Sequence, residues 1–108
     1  MTIRQTRVFA ALADPTRRAI FERLFRSGEH TVWMLTERGD ISQQAVSKHL
    51  AVLKSSGLVR QRREGRETHY SAQPDGLRPL ADWMGIYVEH WRDAFETLLF
   101  TGKRRGGR

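Results

Sequence analysis

The stretch at residues 42–70 constrains the fold most, because a short capped helix runs straight into an arginine-rich hairpin. Ser42 suits a helix N-cap, since its hydroxyl can accept a hydrogen bond from an unpaired amide of the first turn. Gly57 suits the left-handed residue that ends a helix, and Leu58 is then placed to pack back on the helix. Between these ends, three aliphatic residues recur at helical spacing and predict one buried stripe: Val46, Leu50 and Leu53.

The opposite face of this helix is polar and carries no carboxylate. Glutamine, serine and lysine are side chains that hydrogen-bond base edges and phosphates. The pattern therefore predicts a recognition helix that enters the major groove of DNA. Its predicted contacts are Ser42, Gln43, Gln44, Ser47 and Lys48, with Lys54 on the same face.

The hairpin places residues 59–63 and 68–72 on either side of a turn, in which Gly65 can adopt a positive φ. We expect Val59 and Tyr70 to anchor its inner side and four arginines to point outward. Residues 42–66 contain six cations against Glu64 alone, so they carry +5 of the chain's +7 charge. Such arginines can simply be a solvated, protected sheet edge. Beside a carboxylate-free polar helix, they favour contacts to phosphates or the minor groove, made by Arg62, Arg63 and Arg66.

The chain of 108 residues has room for one modest core. We expect one domain at residues 1–100 and a basic, disordered tail at 101–108. There is no cysteine, which excludes disulfides and thiolate metal sites. No apolar run is long enough for a membrane span and the N-terminus lacks the hydrophobic block of a signal peptide, so we expect a cytoplasmic protein without membrane contacts. The sequence pI near 11 indicates affinity for polyanions, but it cannot separate DNA from RNA or anionic lipid.

The first half of the chain predicts three short helices. Residues 2–12 form the first, and Asp14 with Pro15 begins the second as N-cap and first helical residue. Arg17 and Arg18 lie near that start, where the helix dipole disfavours cations; a phosphate neighbour and simple solvation both remain open. A third helix at residues 32–38, capped by Thr31, is followed by a turn and the recognition helix. The predicted fold is mainly α with a small β-hairpin, a winged helix-turn-helix.

The last predicted helix, residues 77–100, carries apolar residues at three- and four-residue steps over roughly 36 Å. A domain of this size cannot cover such a stripe alone, and exposed aromatic stripes usually mark an interface. The helix either packs wholly inside one monomer or, as we expect, forms a homodimer seam with the first helix beside it. The predicted interface residues are Phe9, Leu80, Met84, Tyr87, Val88, Trp91 and Phe95.

Four segments resemble the ArsR/SmtB family of winged-helix repressors. They read LADPTRR at 12–18, ISQQAVSKHL at 41–50, LKSSGLV at 53–59 and REGR at 63–66, and the likeness spans roughly residues 5–100. The resemblance implies a homodimeric regulator, with N- and C-terminal helices at the dimer interface, that represses by binding double-stranded operator DNA. A twofold dimer further predicts an inverted-repeat operator.

The metal-sensing motifs of that family are incomplete in this chain. Its third helix has no cysteine and offers only Met34 as a soft ligand, and the last helix reads Asp82-Trp83-Met84 where zinc sensors carry Asp-x-His. His90 with neighbouring carboxylates is a weak zinc site. We therefore predict a branch without the metal-binding motifs, no cofactor and an unknown effector. A metal-responsive repressor with a non-standard site stays an alternative.

No catalytic residue is predicted. Asp40, Ser47 and His49 lie on or beside the helix that must meet DNA, and the chain has neither a phosphate loop nor paired acidic residues. His49 is expected to be a partly buried, hydrogen-bonded structural residue. A non-specific nucleoid-type or RNA-binding winged helix remains the alternative function, and a protein-interaction winged helix is disfavoured by the polar outer face of the recognition helix.

Overall fold

The computed structural model describes residues 1–37 and 39–106, without the side chains of Phe95 and of residues from 99 onward. Over these residues five helices and one hairpin follow each other along the chain. They are α1 (Ile3–Ala13), α2 (Pro15–Ser27), α3 (Val32–Thr36), α4 (Gln43–Ser55), β1 (Val59–Glu64), β2 (Glu67–Ala72), a 3₁₀ turn (Pro74–Leu77) and α5 (Arg78–Gly106).

The helices begin where side chains satisfy the amides of the first turn. The Asp14 carboxylate accepts the Arg17 N–H at 2.8 Å, and the Ser42 hydroxyl accepts the Ala45 N–H at 3.1 Å, which confirms both predicted caps. At the end of α4, Gly57 has φ +83°, and the Leu58 N–H donates to the Leu53 carbonyl at 2.9 Å. The chain therefore turns back at Gly57 as predicted, and Leu58 joins the core.

Helix α3 is shorter than predicted, since it ends at Thr36 and not at Arg38, which lies outside the described residues. At its start the Met34 sulfur accepts the Thr31 N–H at 3.5 Å, so the one soft ligand of this helix serves in its cap. Phe25, although apolar, is 55% exposed at the last turn of α2.

The core lies beneath α4. Val46, Leu50 and Leu53 have no exposed surface, and α4 contacts α2, α3 and β1 on this side. The predicted buried stripe is thus confirmed, and its burial fixes which face of α4 is left toward solvent. The remaining buried apolar residues are Val8, Ala11, Ile20, Phe21, Leu24, Leu35, Leu58 and Val59.

The loop after α2 joins the hairpin through an isolated β-bridge. His30 exchanges two backbone hydrogen bonds with Tyr70, at 2.9 and 2.8 Å, so residues before α3 line the free edge of β2. The His30 ring is buried, and its Nδ1 lies 2.7 Å from the Gly28 carbonyl oxygen. This bridge ties the base of the hairpin to the loop after α2.

Helix α5 begins at Arg78, one residue later than predicted, and ends at Gly106. It contacts α1 through aromatic rings: Phe9 meets Trp83 edge-on with centroids 5.1 Å apart, and Trp83 lies 4.8 Å from Tyr87. The boundary at residue 100 and the disordered tail stay predictions, because no side chain from residue 99 onward is described.

Candidate nucleic-acid interface

The outer face of α4 presents polar side chains in one open patch. Gln43, Gln44, Ser47 and Lys48 are exposed and line the same shallow surface, while the buried stripe lies on the opposite side. Ser42 is exposed as well, with its hydroxyl held on the Ala45 amide. The sequence-predicted α4 residues are therefore brought together on one solvent-facing surface.

The hairpin has two chemically different faces, because side chains of a strand alternate from one face to the other. The face that packs on the core carries Val59, which is paired with Ala72, and Tyr70, which is paired with Gln61. Arg63, which is paired with Thr68, lies on the same face, because every second residue of a strand points the same way. Arg60, paired with Ser71, and Arg62, paired with His69, lie on the other face. We call these the inner and outer faces of the hairpin. We expected all four arginines of the hairpin to point outward, and this prediction is wrong, because Arg63 lies on the inner face.

Comparisons with known proteins also find a helix-turn-helix, which in this chain is followed by the hairpin, the wing of the domain. A helix-turn-helix domain model matches residues 12–62. The transcriptional repressor SdpR of Bacillus subtilis is 35% identical over 81 residues, which cover 75% of this chain and 89% of that protein. The arsenical resistance operon repressor of Escherichia coli is 41% identical over 86 residues, covering 79% of this chain and 70% of that protein. This chain belongs to the ArsR/SmtB family.

The solved structures agree. An ArsR-like transcriptional regulator from Rhodococcus sp. RHA1 has a TM-score of 0.73 and 33% identity, covering 88% of this chain and 89% of the other. The ArsR-family chain is thus a DNA-binding transcriptional regulator with a winged helix-turn-helix fold, and not an enzyme. This confirms the family, fold and functional class indicated by the sequence.

The outer face of the wing is neutralised by carboxylates. Arg62 forms a two-point ion pair with Glu29, from Nη2 to Oε1 at 2.8 Å and from Nε to Oε2 at 3.0 Å. Its Nη1 donates to Glu64 at 3.0 Å. These hydrogen bonds hold the pKa of Glu29 below its usual range and raise that of Arg62. Sequence reasoning predicted Arg62 as a phosphate contact and missed Glu29, which lies 33 residues away.

The other two predicted wing residues are differently placed. Arg63 and Arg66 are exposed near the turn, and no carboxylate of the described residues lies within ion-pair distance of either guanidinium. Gly65 takes φ +61° at the tip, as predicted. Two cations at the end of the wing therefore remain available to a polyanion.

The sequence left two explanations open for Arg17 and Arg18, a phosphate neighbour or simple solvation, and the structure shows a third. Arg17 donates to the carbonyls of Ala11 at 2.7 Å and Ala10 at 3.1 Å, and Arg18 donates to Leu12 at 2.8 Å. These are last-turn carbonyls of α1, where a helix lacks backbone partners and its dipole favours cations. Both arginines thus cap α1.

The predicted interface residues are divided between the core and the surface. Leu80 packs partly against the core, whereas Met84, Tyr87, Val88 and Trp91 remain about half exposed on α5. Phe9 meets Trp83 of its own chain, and the Phe95 side chain lies outside the described residues. Ile86, 66% exposed, was missed because it falls outside the three- and four-residue stripe.

His49, which could be mistaken for a catalytic histidine, is half-buried close to Asp14. The pKa of the Asp14 carboxyl is lowered mainly by the hydrogen bond from the Arg17 amide and further by the His49 ring. Among the side chains described, no three His, Asp or Glu residues are grouped in a way that could hold a metal ion. No described helix is long and apolar enough to cross a membrane.

Proposed function

We propose that this ArsR-family regulator is a homodimeric repressor that reads an inverted-repeat operator in double-stranded DNA. The observation that carries this proposal is the exposed, carboxylate-free face of α4 opposite a stripe with no exposed surface. That face can enter a major groove, where glutamine amides hydrogen-bond purine edges and Lys48 reaches phosphates. The proposed base-reading residues are Ser42, Gln43, Gln44 and Ser47.

The wing adds contacts that do not depend on base sequence. Arg63 and Arg66 have free guanidinium groups at its tip, so they are the proposed contacts to phosphates or the minor groove. Arg62 is not included among them, because Glu29 and Glu64 accept three of its five N–H donors and neutralise its charge. The wing's contribution to DNA affinity then comes from its end and not from its outer face.

The second subunit is proposed to cover the apolar residues that α5 exposes. Met84, Tyr87 and Val88 keep half of their surface in the single chain, and apolar patches of this kind mark protein interfaces. Two copies related by a twofold axis present two α4 helices to one face of the duplex. Repression follows from occupancy of promoter DNA, and the dimer acts in the cytoplasm because its target is chromosomal DNA.

We further propose that DNA binding does not respond to zinc, nickel, cadmium or arsenite. The reason is ligand supply, since the chain contains no cysteine. Zinc titration of the protein–DNA complex is the check for the weaker His90 site. A tenfold loss of affinity that His90→Ala abolishes would show a real zinc site.

The test of the main proposal compares Gln44→Ala on the operator, located by footprinting DNA upstream of the gene, and on a random duplex. Loss of a base-reading side chain should cost about 1–3 kcal/mol on the operator and little on random DNA. Gln61→Ala is the control, because it removes the same amide from the wing and should change both affinities alike or not at all. Equal losses for Gln44→Ala would favour the non-specific nucleoid-type function.

A further inference from the structure

The wing is attached to the rest of the domain at its base by two neighbouring contacts. The His30–Tyr70 backbone pair adds the loop after α2 to the sheet, and the next residue back, Glu29, forms the two-point ion pair with Arg62. One contact fixes the backbone of β2 and the other fixes a side chain of β1. Together they restrain both strands against the same loop.

The Glu29–Arg62 pair lies closer to the wing tip than the His30–Tyr70 pair, because Arg62 is paired with His69, one position nearer the turn than Tyr70. Arg62 directly precedes Arg63, and alternation of the strand sends their side chains to opposite faces. Holding the Arg62 guanidinium on the outer face therefore also fixes the direction in which Arg63 leaves the strand. His69, directly across from Arg62, lies 3.7 Å from Glu29 and 3.9 Å from Glu64, so the carboxylates surround both residues of that cross-strand pair.

We propose that Glu29 is a positioning residue of the DNA-binding surface: by holding Arg62, it orients the wing so that Arg63 and Arg66 reach the DNA backbone. This inference rests on the proposed contacts of Arg63 and Arg66. Exposed ion pairs usually contribute little, but this pair has two-point geometry and belongs to a network, the two conditions under which such pairs matter. Arg62 then acts inside the protein and makes no phosphate contact.

If Arg62 contacted DNA directly, loss of the Glu29 carboxylate would change DNA affinity in the opposite direction. If Arg62 were a phosphate contact, Glu29 would compete with DNA for it, and removing the carboxylate would strengthen binding. If Glu29 orients the wing, removing the carboxylate weakens binding even though a negative charge has been lost. The sign of the change for Glu29→Gln therefore separates the two arrangements without knowledge of the operator.

The experiment measures fluorescence anisotropy of a labelled random-sequence duplex, and of the footprinted fragment, over a series of salt concentrations. Glu29→Gln and Arg62→Ala should each weaken binding to both duplexes by about two- to fivefold, the range of exposed ion pairs. Neither should change the slope of log affinity against log salt. Arg63→Ala should reduce that slope by about 0.9, the value for one phosphate contact.

Two controls make the result specific. Glu67→Gln removes a carboxylate that lies 3.9 Å from His69 but makes no hydrogen bond to Arg62, so it should leave affinity unchanged or raise it slightly. The double variant Glu29→Gln/Arg62→Ala should be no weaker than either single variant, because both remove the same contact. A purely structural role would lower the Tm of these variants without this coupling in DNA affinity.

Four results would overturn the inference. Tighter binding of Glu29→Gln, or a reduced salt slope for Arg62→Ala, would make Arg62 a phosphate contact while leaving the wing proposal intact. Additive losses in the double variant would mean that Glu29 and Arg62 act separately. An unchanged slope for Arg63→Ala would instead remove the proposed wing contact, and the role of Glu29 with it.

Discussion

Arg17 donates from Nε to the carbonyl oxygen of Ala11 at 2.7 Å, across the turn that separates α2 from α1. A residue in the first turn of one helix thereby caps the last turn of the preceding helix. The charge that is unfavourable at the start of α2 is favourable at the end of α1, because the dipoles of the two helices present opposite ends at this corner.

We expect Arg17→Ala to lower the free energy of unfolding by about 1–3 kcal/mol, since carbonyls bonded to a charged donor lose their partner. Affinity for random DNA should change no more than in Arg26→Ala, which removes the same charge from the exposed end of α2. Urea unfolding and a salt titration of DNA binding measure the two quantities. If the slope of log affinity against log salt became smaller for Arg17→Ala but not for Arg26→Ala, Arg17 would instead be a contact to a DNA phosphate.

Gly76 brings the 3₁₀ turn directly onto the end of α4. A Cβ at this position would overlap the Gly57 carbonyl oxygen and lie 2.9 Å from the Leu58 Cα, and backbone atoms cannot move aside as a side chain can. Gly76→Ala should therefore cost about 1–3 kcal/mol, the usual range for overpacking. Gly85→Ala on α5, where a Cβ meets nothing within 4 Å, should be neutral or slightly stabilising. Equal Tm values for the two variants would contradict the close packing of this turn.

The Asp14 cap predicts how stability depends on acid. The Arg17 amide lowers the pKa of the Asp14 carboxyl, so the cap contributes stability above the unfolded pKa and loses it as pH falls through the lower folded value. Stability of the wild type should therefore fall more steeply than that of Asp14→Asn as pH drops below about 4. Thermal unfolding between neutral and acid pH measures this; parallel curves for the two proteins would refute it.

The dimer proposal is tested by a charge on the exposed side of α5. Val88 is 49% exposed in the single chain, so Val88→Asp is tolerated by a monomer but places an unpaired charge in the proposed seam. Sedimentation should show a dimer for the wild type and a monomer for this variant. Trp33→Asp, which adds the same charge at an apolar side chain of α3 that is 60% exposed, should remain dimeric. A monomeric wild type at micromolar concentration would end the proposal.

The twofold arrangement also fixes a distance along the DNA. Two α4 helices entering one face of the duplex require half-sites about 34–36 Å apart, or a multiple of this spacing. Inserting about five base pairs between the half-sites turns one of them away by half a helical turn and should abolish tight binding. A gel-shift series with insertions measures this. Binding that is indifferent to the insertion would favour a non-specific architectural role.

Local chemistry in the sequence was sufficient to predict several helix ends and the polar outer face of α4. Asp14, Ser42 and Gly57 specify their helix ends through hydrogen bonds and φ values within a few residues. The periodicity of Val46, Leu50 and Leu53 determined which side of α4 is buried, and so which side can meet DNA. Helix caps and the spacing of apolar residues involve neighbours within a few positions along the chain, so they can be recognised without knowing the rest of the fold.

Tertiary structure decided what each arginine does. Arg17 meets the end of α1, and Arg62 meets a glutamate 33 residues away, because contacts between elements depend on where the core brings those elements. A net charge counted along residues 42–66 cannot show that carboxylates neutralise one face of the wing while Arg63 and Arg66 remain free. The partner of a charged side chain is chosen by three-dimensional proximity, and that proximity is set by the packing of α2, α4 and the hairpin.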